Sequence, residues 1–192
     1  MRDPGGADEE LDADAVARIV REIEAGEDSI LVPFELIGDF ERPPGTAPPP
    51  SLFQEVLGMS VSQKIKLALR GNKDARTILI RDNNKLVRRF VVMNPRITDG
   101  EVVQLCRNRS ADDELIRIVA EDREWVRNYQ VKLALVTNPK TPLVIAMRLV
   151  AQLGERDVRA LAKSRNVPQA VAVQARRIVV EKDKKSSGGG KH

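Results

Sequence analysis

The side chains that most often perform nucleophilic or acid–base chemistry are scarce in this sequence. Its only histidine is the last residue, His192, and its only cysteine is Cys106. A serine or cysteine nucleophile needs a neighbouring base, most often histidine, and a structural zinc site needs several cysteine or histidine ligands. The sequence therefore predicts no catalytic residue, no metal site and no cofactor. We interpret Cys106 as a thiol packed in a core.

Residues 121–124 form the densest group of charges, with three carboxylates among four consecutive residues. General acid–base catalysis needs carboxylates that converge on a pocket, whereas adjacent residues of a helix point in different directions. We interpret this run as a solvated corner, and we predict that the protein is not an enzyme.

Trp125 and Tyr129 are the only tryptophan and tyrosine of the chain. Because they are four residues apart, they would share a face on one predicted helix. Packing between repeats is one interpretation of this pair. Anchoring a protein partner is the other, since tryptophan and tyrosine often dominate binding interfaces.

Charge is divided unevenly along the chain, although its formal net value is only +4. Residues 1–50 contain 13 acids and 4 bases, whereas residues 51–192 contain 15 acids and 28 bases. This pattern indicates an acidic arm of net charge −9 and a basic body of net charge +13. The body carries more charge than solubility requires, which favours an anionic partner.

Many of the basic residues lie at turns that contain asparagine. If those turns occupy equivalent places, their side chains form a positive stripe for nucleic acid, an acidic protein segment or the chain's own arm. Alternatively, they only complement helix dipoles. The candidate partner-binding residues are Lys73, Arg76, Arg96, Arg107, Arg109, Lys140, Lys163, Arg165, Trp125 and Tyr129.

The asparagine turns recur in similar sequence. Residues 66–73 (KLALRGNK) resemble residues 132–139 (KLALVTNP), and residues 91–95 (VVMNP) repeat the end of the pattern. Asn94 follows Asn72 by 22 residues and precedes Asn138 by 44. Such recurrence is typical of a solenoid. We expect these asparagines in the left-handed conformation that ends many helices.

Periodicity and capping signals predict at least seven helices and no sheet in the body. Ser60 with Gln63, and Thr98 with Glu101, have the spacing of a capping box. Aromatic residues make up only 3% of the chain, so the core must be aliphatic. The predicted helices are residues 62–70, 73–82, 85–93, 99–107, 111–121, 125–137, 142–153, 155–164 and 168–180.

The chain divides into four predicted segments. Residues 1–42 form the acidic arm, which contains one amphipathic helix ending near Gly26 and an apolar docking segment. Residues 43–50 are a proline-rich linker, residues 51–180 are the helical-repeat domain and residues 181–192 are a disordered charged tail. The residues of the docking segment are Ile30, Leu31, Val32 and Phe34. No signal peptide or membrane-spanning stretch is evident, which predicts a cytoplasmic protein.

On these repeats the body resembles α-helical repeat proteins of the HEAT/armadillo or leucine-rich-repeat-variant type. It also resembles bacterial helical-repeat proteins without an established activity, so no activity carries over. The resemblance covers residues 51–180 and implies an all-α fold. That fold is a short right-handed α-solenoid of stacked helix pairs with an acidic, partly disordered N-terminal arm.

Two functions remain open at this point. The first is a non-catalytic scaffold or adaptor that binds another protein, or its own acidic arm, through the solenoid surface. The second is an electrostatic nucleic-acid-binding protein that uses the basic stripe. The body lacks stacking aromatics and recognised reading motifs, which disfavours specific nucleic-acid recognition. A helical-repeat enzyme is the least supported alternative.

Overall fold

The computed structural model describes residues 11–38 and 46–188, with side chains to residue 184. Over these residues the protein is all-helical, without strands. The chain divides into two compact units, residues 1–97 and 98–192.

The first unit contains six described helices. They are α1 (Ala13–Ala25), α2 (Phe34–Ile37), α3 (Pro50–Leu57), α4 (Val61–Arg70), α5 (Lys73–Leu79) and α6 (Lys85–Val92). The second unit contains seven. They are α7 (Asp99–Arg107), α8 (Asp113–Glu121), α9 (Arg123–Arg127), α10 (Tyr129–Thr137), α11 (Leu143–Val150), α12 (Glu155–Lys163) and α13 (Gln169–Gly188).

Local signals placed most helices within a few residues of their observed ends. Both capping boxes are formed, at Ser60 with Gln63 and at Thr98 with Glu101. The predicted single helix 125–137 is wrong in one respect, because the helix is interrupted at Asn128. The backbone of Asn128 is extended, and its side chain accepts from the N–H groups of Gln130 and Val131. Therefore α9 ends and α10 begins there.

The first unit is organised around α4, which contacts α1, α2, α5 and α6. Ile23 of α1 and Leu36 of α2 are buried in the same aliphatic cluster as Ile65 and Leu67 of α4. Apolar positions of the predicted acidic arm therefore belong to the core of this unit. The structure divides the chain after Ile97, rather than at the proline-rich linker predicted for residues 43–50.

Both ends of the predicted body differ from expectation. Residues 1–10 and 39–45 of the arm and linker, and residues 189–192 of the tail, lie outside the described residues. Residues 46–49 have no regular secondary structure, and the unpredicted α3 begins at Pro50, since proline is favoured in a helix's first turn. At the other end, α13 continues to Gly188, past the predicted boundary at residue 180.

A buried asparagine links two helices in the first unit. The amide Nδ2 of Asn94 donates to the carbonyls of Ala68, at 2.7 Å, and Gly71, at 3.2 Å, at the end of α4. Its Oδ1 accepts from the backbone N–H of Arg96 at 2.8 Å. One side chain thus satisfies the carbonyls that end one helix and orders the turn after another.

The second unit repeats this arrangement at Asn138. Its Nδ2 donates to the carbonyls of Cys106, at 2.7 Å, and Asn108, at 3.1 Å, at the end of α7. Its Oδ1 accepts from the N–H of Lys140 at 2.9 Å. The expected left-handed conformation is wrong, because no described residue other than glycine has a positive φ. The recurring asparagines are buried hydrogen-bonding bridges instead.

Removing the amide of Asn138 should therefore be costly. Asn138→Ala leaves the buried carbonyl of Cys106 without its donor, whereas the carbonyl of Asn108 still accepts from the N–H of Ala111, so we expect the free energy of unfolding to fall by about 1–3 kcal/mol. Asn138→Asp should be at least as destabilising, because a carboxylate cannot donate to those carbonyls. Denaturant melts measure both.

The matched control is Asn166→Ala. Asn166 is exposed, and its side chain makes no hydrogen bond in the described part of the chain, so the change should stay within about 0.5 kcal/mol. Equal losses for Asn138→Ala and Asn166→Ala would contradict the bridging role.

Candidate binding surfaces

The segment between α1 and α3 is tied to α4 through its own backbone. Gln63 Nε2 donates to the carbonyl of Leu31 at 2.8 Å, and Lys66 Nζ donates to that of Ile30 at 2.7 Å. Lys66 also forms an ion pair with Asp28 at 2.6 Å, whose side chain is only 6% exposed. The two hydrogen bonds from Gln63 and Lys66 are made to backbone carbonyls, so they hold the segment independently of most of its side chains.

Asn72 holds the other end of this segment, residues 28–38, which we call the docked segment. Its Nδ2 donates to the carbonyls of Glu35, at 2.6 Å, and Gly38, at 3.2 Å. Its Oδ1 accepts from the N–H groups of Asp74 and Ala75, so it also caps α5. The asparagine of this turn thus has the same bridging role as Asn94, with the docked segment in place of a helix end.

The four predicted docking residues do not all face the same way. Ile30 and Val32 are half-buried against the core, whereas Leu31 and Phe34 are 84% and 82% exposed. The anchor that sequence reasoning missed is Leu36, which is fully buried. Alternation would group Ile30 and Val32 on one side, but it would also include the exposed Phe34, so it did not single out Leu36, which lies on the helix α2.

The predicted turn cations fall into different environments in the first unit. Lys73 is exposed, but Arg76 is only 4% exposed and donates to the carbonyl of Gly71 at 3.1 Å. Arg76 is therefore an internal residue, and its assignment to an exposed stripe is wrong. Arg96 is exposed and donates to the carbonyl of Ile37 at 2.9 Å, so part of its bonding capacity is used inside the unit.

More of the turn cations are exposed in the second unit than in the first, and few of them bond to other described residues. Lys140 is half-buried and pairs with Asp113 at 2.7 Å. Arg107, Arg109, Lys163 and Arg165 are exposed. Of these four, only Arg107 makes a side-chain hydrogen bond within the described residues, a 3.4 Å contact with a neutral glutamine amide.

Trp125 and Tyr129 lie on different helices, because α9 ends and α10 begins at Asn128, between them. Trp125 is half-buried on α9, and Tyr129 begins α10. The Tyr129 hydroxyl donates to Asp157, which raises the pKa of the phenol, and it accepts from the N–H of Gly154 at 3.1 Å. The predicted shared face is therefore wrong, and the Tyr129 hydroxyl fixes the turn before α12.

A groove of about 290 Å³ opens in the second unit, at residues that sequence reasoning did not select as a site. Its basic side chains come from three consecutive helices: Arg123 and Arg127 of α9, Lys132 of α10 and Arg148 of α11. The spacing of Arg123 and Arg127, four apart, was a signal that sequence could offer. Lys132 and Arg148 join them only through helix packing.

Chemistry-bearing side chains are otherwise sparse. Cys106 is buried, and this burial raises the pKa of its thiol to about 12. Over the described ranges, no group of three or more His, Cys, Asp or Glu side chains is placed to hold a metal ion. No helix within those ranges has both the length and the apolar character needed to cross a bilayer.

Comparison of the chain with protein-family models, with curated proteins and with solved structures gave no match.

The Asp28–Lys66 pair should make the docked segment sensitive to acid. The hydrogen bond from Lys66 holds the pKa of Asp28 below its usual value of 3.8. The stability from this ionised carboxylate is present above that pH and is lost as pH falls through the lower folded pKa. Asp28→Asn should therefore destabilise the protein near pH 7, and the difference from the unaltered protein should shrink below about pH 4.

Denaturant melts across pH 3–7 measure this difference. Asp14→Asn is the control, because Asp14 is exposed on α1. A constant gap between the Asp28→Asn variant and the unaltered protein down to pH 3 would contradict the role of the ionised pair.

The Cys106 thiol should be inert in the folded protein. With a pKa of about 12, almost none of it is thiolate at pH 8. We expect Ellman's reagent to label less than a tenth of the native protein in an hour, and one thiol per chain in guanidinium chloride. Rapid native labelling would show that α7 opens readily.

Proposed function

We propose that the protein is a non-catalytic helical-repeat scaffold, a short right-handed α-solenoid, that binds an acidic segment of another protein. The observation that carries this proposal is the set of exposed cations Arg107, Arg109, Lys163 and Arg165, which no carboxylate neutralises within the described residues. The ends of α7 and α12 present them, and complementary charge would give an acidic partner specificity and a faster association rate.

The repeated asparagine bridges support the solenoid interpretation. Arg96 and Lys140 occupy equivalent places, because the N–H of each donates to the Oδ1 of the bridging asparagine two residues earlier. The same short sequence pattern therefore gives the same local structure in both units. Repetition of one supersecondary unit is what defines repeat proteins.

The geometry favours a protein partner over nucleic acid. Single-stranded nucleic acid is usually held by bases stacked on exposed aromatic rings. Here Trp125 is half-buried, and the Tyr129 hydroxyl is engaged by Asp157 and Gly154. The exposed ring of Phe34 belongs to the first unit, whereas these turn cations belong to the second. Nucleic acid remains the second candidate, since phosphate contacts need only the cations.

The docked segment gives a second kind of binding surface, formed by the chain itself. Its carbonyls are held by Gln63, Lys66 and Asn72, while Leu31 and Phe34 face outward. Bases of the body thus already contact the acidic arm in this unit. This arrangement supports the arm as a structural part of the scaffold, rather than a free competitor for its ligands.

The test uses the full-length chain as bait in its native lysate, with and without nuclease. A fourfold variant, Arg107→Glu, Arg109→Glu, Lys163→Glu and Arg165→Glu, should lose at least nine-tenths of a nuclease-resistant partner. The control reverses four exposed bases outside those turns: Arg18→Glu, Arg117→Glu, Arg156→Glu and Lys182→Glu. It has the same net charge and should retain the partner.

Two outcomes would overturn the proposal. Loss of all captured material on nuclease treatment would assign the cations to nucleic acid. Equal loss of the partner in both fourfold variants would show that net charge alone, and not the turn surface, mediates capture.

A further inference from the structure

We propose that the groove in the second unit binds a phosphate monoester, on a site separate from the turn cations. Arg123, Arg127, Lys132 and Arg148 supply four positive charges around it. The side chains of Arg123, Lys132 and Arg148 make no hydrogen bond or ion pair within the part of the chain that the structure describes. Cations gathered without carboxylate partners repel one another, and an anion between them removes that cost.

The remaining cation is only weakly committed. Arg127 pairs with Glu124 at 2.8 Å, but both side chains are about three-quarters exposed. An ion pair so open to solvent contributes little. Arg127 can therefore turn toward a bound anion at small cost.

The carboxylates beside the groove set the charge of the ligand. Glu121 and Asp122 also line it, which leaves a net charge of +2. Asp122 is occupied as the cap of α9, since its Oδ1 accepts from the N–H groups of Glu124, at 2.7 Å, and Trp125, at 3.4 Å. A net charge of +2 is matched by a dianion. A phosphate monoester carries about −1.5 to −2 at neutral pH, whereas a carboxylate or phosphodiester carries −1.

The volume and the apolar lining of the groove limit the group to which the phosphate can be attached. The volume of about 290 Å³ is at the lower end for ligand pockets. Val126 and Ala120 add an apolar part to its wall, so a small organic group fits better than inorganic phosphate. Arginine also suits this ligand, because its planar guanidinium can donate two hydrogen bonds to one phosphate.

The elements that form the groove hold it in a defined shape. α8 contacts α9, α9 contacts α10, and α10 contacts α11. Asp122 and Asn128 cap the two ends of the short α9 turn, which fixes Arg123 and Arg127 on it. The cations are therefore presented by packed helices and not by a long loop.

The first experiment titrates the full-length, 15N-labelled chain with phenyl phosphate at pH 7.5 and low salt. We expect saturable 1:1 binding, with amide shifts concentrated at residues 120–132 and 148–152. Diphenyl phosphate, a monoanion of similar chemistry, should bind at least fivefold more weakly. Lowering the pH to 5.5 should weaken phenyl phosphate binding severalfold, since the second phosphate pKa is about 6.

Two single variants and a control locate the site. Lys132→Gln and Arg148→Gln should each weaken phenyl phosphate binding at least fivefold, with unchanged circular dichroism melts. Arg156→Gln removes an exposed charge of α12 outside the groove and should change affinity less than twofold. A phosphoserine peptide that binds more tightly than phenyl phosphate would place the ester on a protein partner, whereas weaker binding would favour a small metabolite.

Four results would overturn the proposal. The first three are no saturable binding up to 10 mM phenyl phosphate, equal affinity for diphenyl phosphate, and equal weakening by Arg156→Gln. Tighter binding of an unphosphorylated oligonucleotide, competing with phenyl phosphate, would also overturn it by assigning the groove to phosphodiesters. None of these results depends on capture of the protein partner proposed above.

Discussion

The buried asparagine amide is the interaction on which both units depend. A helix of eight to ten residues is marginal by itself, and each helix end leaves backbone carbonyls without partners. The core around these ends is aliphatic, so few groups are available to satisfy them. Asn94 and Asn138 do so by donating to two carbonyls and accepting one N–H each. Neither a hydroxyl nor a carboxylate offers two donors and an acceptor on one side chain.

The same device explains why the N-terminal segment is integral to the first unit. The amide of Asn72 donates to carbonyls of the docked segment, whereas the amide of Asn94 donates to carbonyls at a helix end. Gly71 allows the close turn between α4 and α5, because a Cβ placed on it would collide with the carbonyl oxygen of Leu67. Over its described residues, the acidic arm is attached through its backbone carbonyls, through Leu36 and through the Asp28–Lys66 ion pair. Net charge alone does not explain this attachment.

Function depends on which cations are left available after folding. Arg76, Lys66 and Lys140 are used internally, on carbonyls or carboxylates. Arg107, Arg109, Lys163 and Arg165 remain exposed at turns, and Arg123, Lys132 and Arg148 surround a groove. We propose the turn cations as the site for an acidic protein segment and the groove as the site for a compact dianion. The total positive charge of the body does not show which of its cations form either surface.

Helix positions, capping boxes and the aliphatic core followed from the sequence, because periodicity and capping depend on residues within about four positions of each other. The recurrence at Asn72, Asn94 and Asn138 was also visible there, but its role was not. Asn94 and Asn138 donate to carbonyls that lie 26 and 32 residues earlier in the chain, respectively. Only helix packing decides which chain segments meet over such separations. For the same reason, packing alone buried Arg76 and brought Lys132 and Arg148 to one groove.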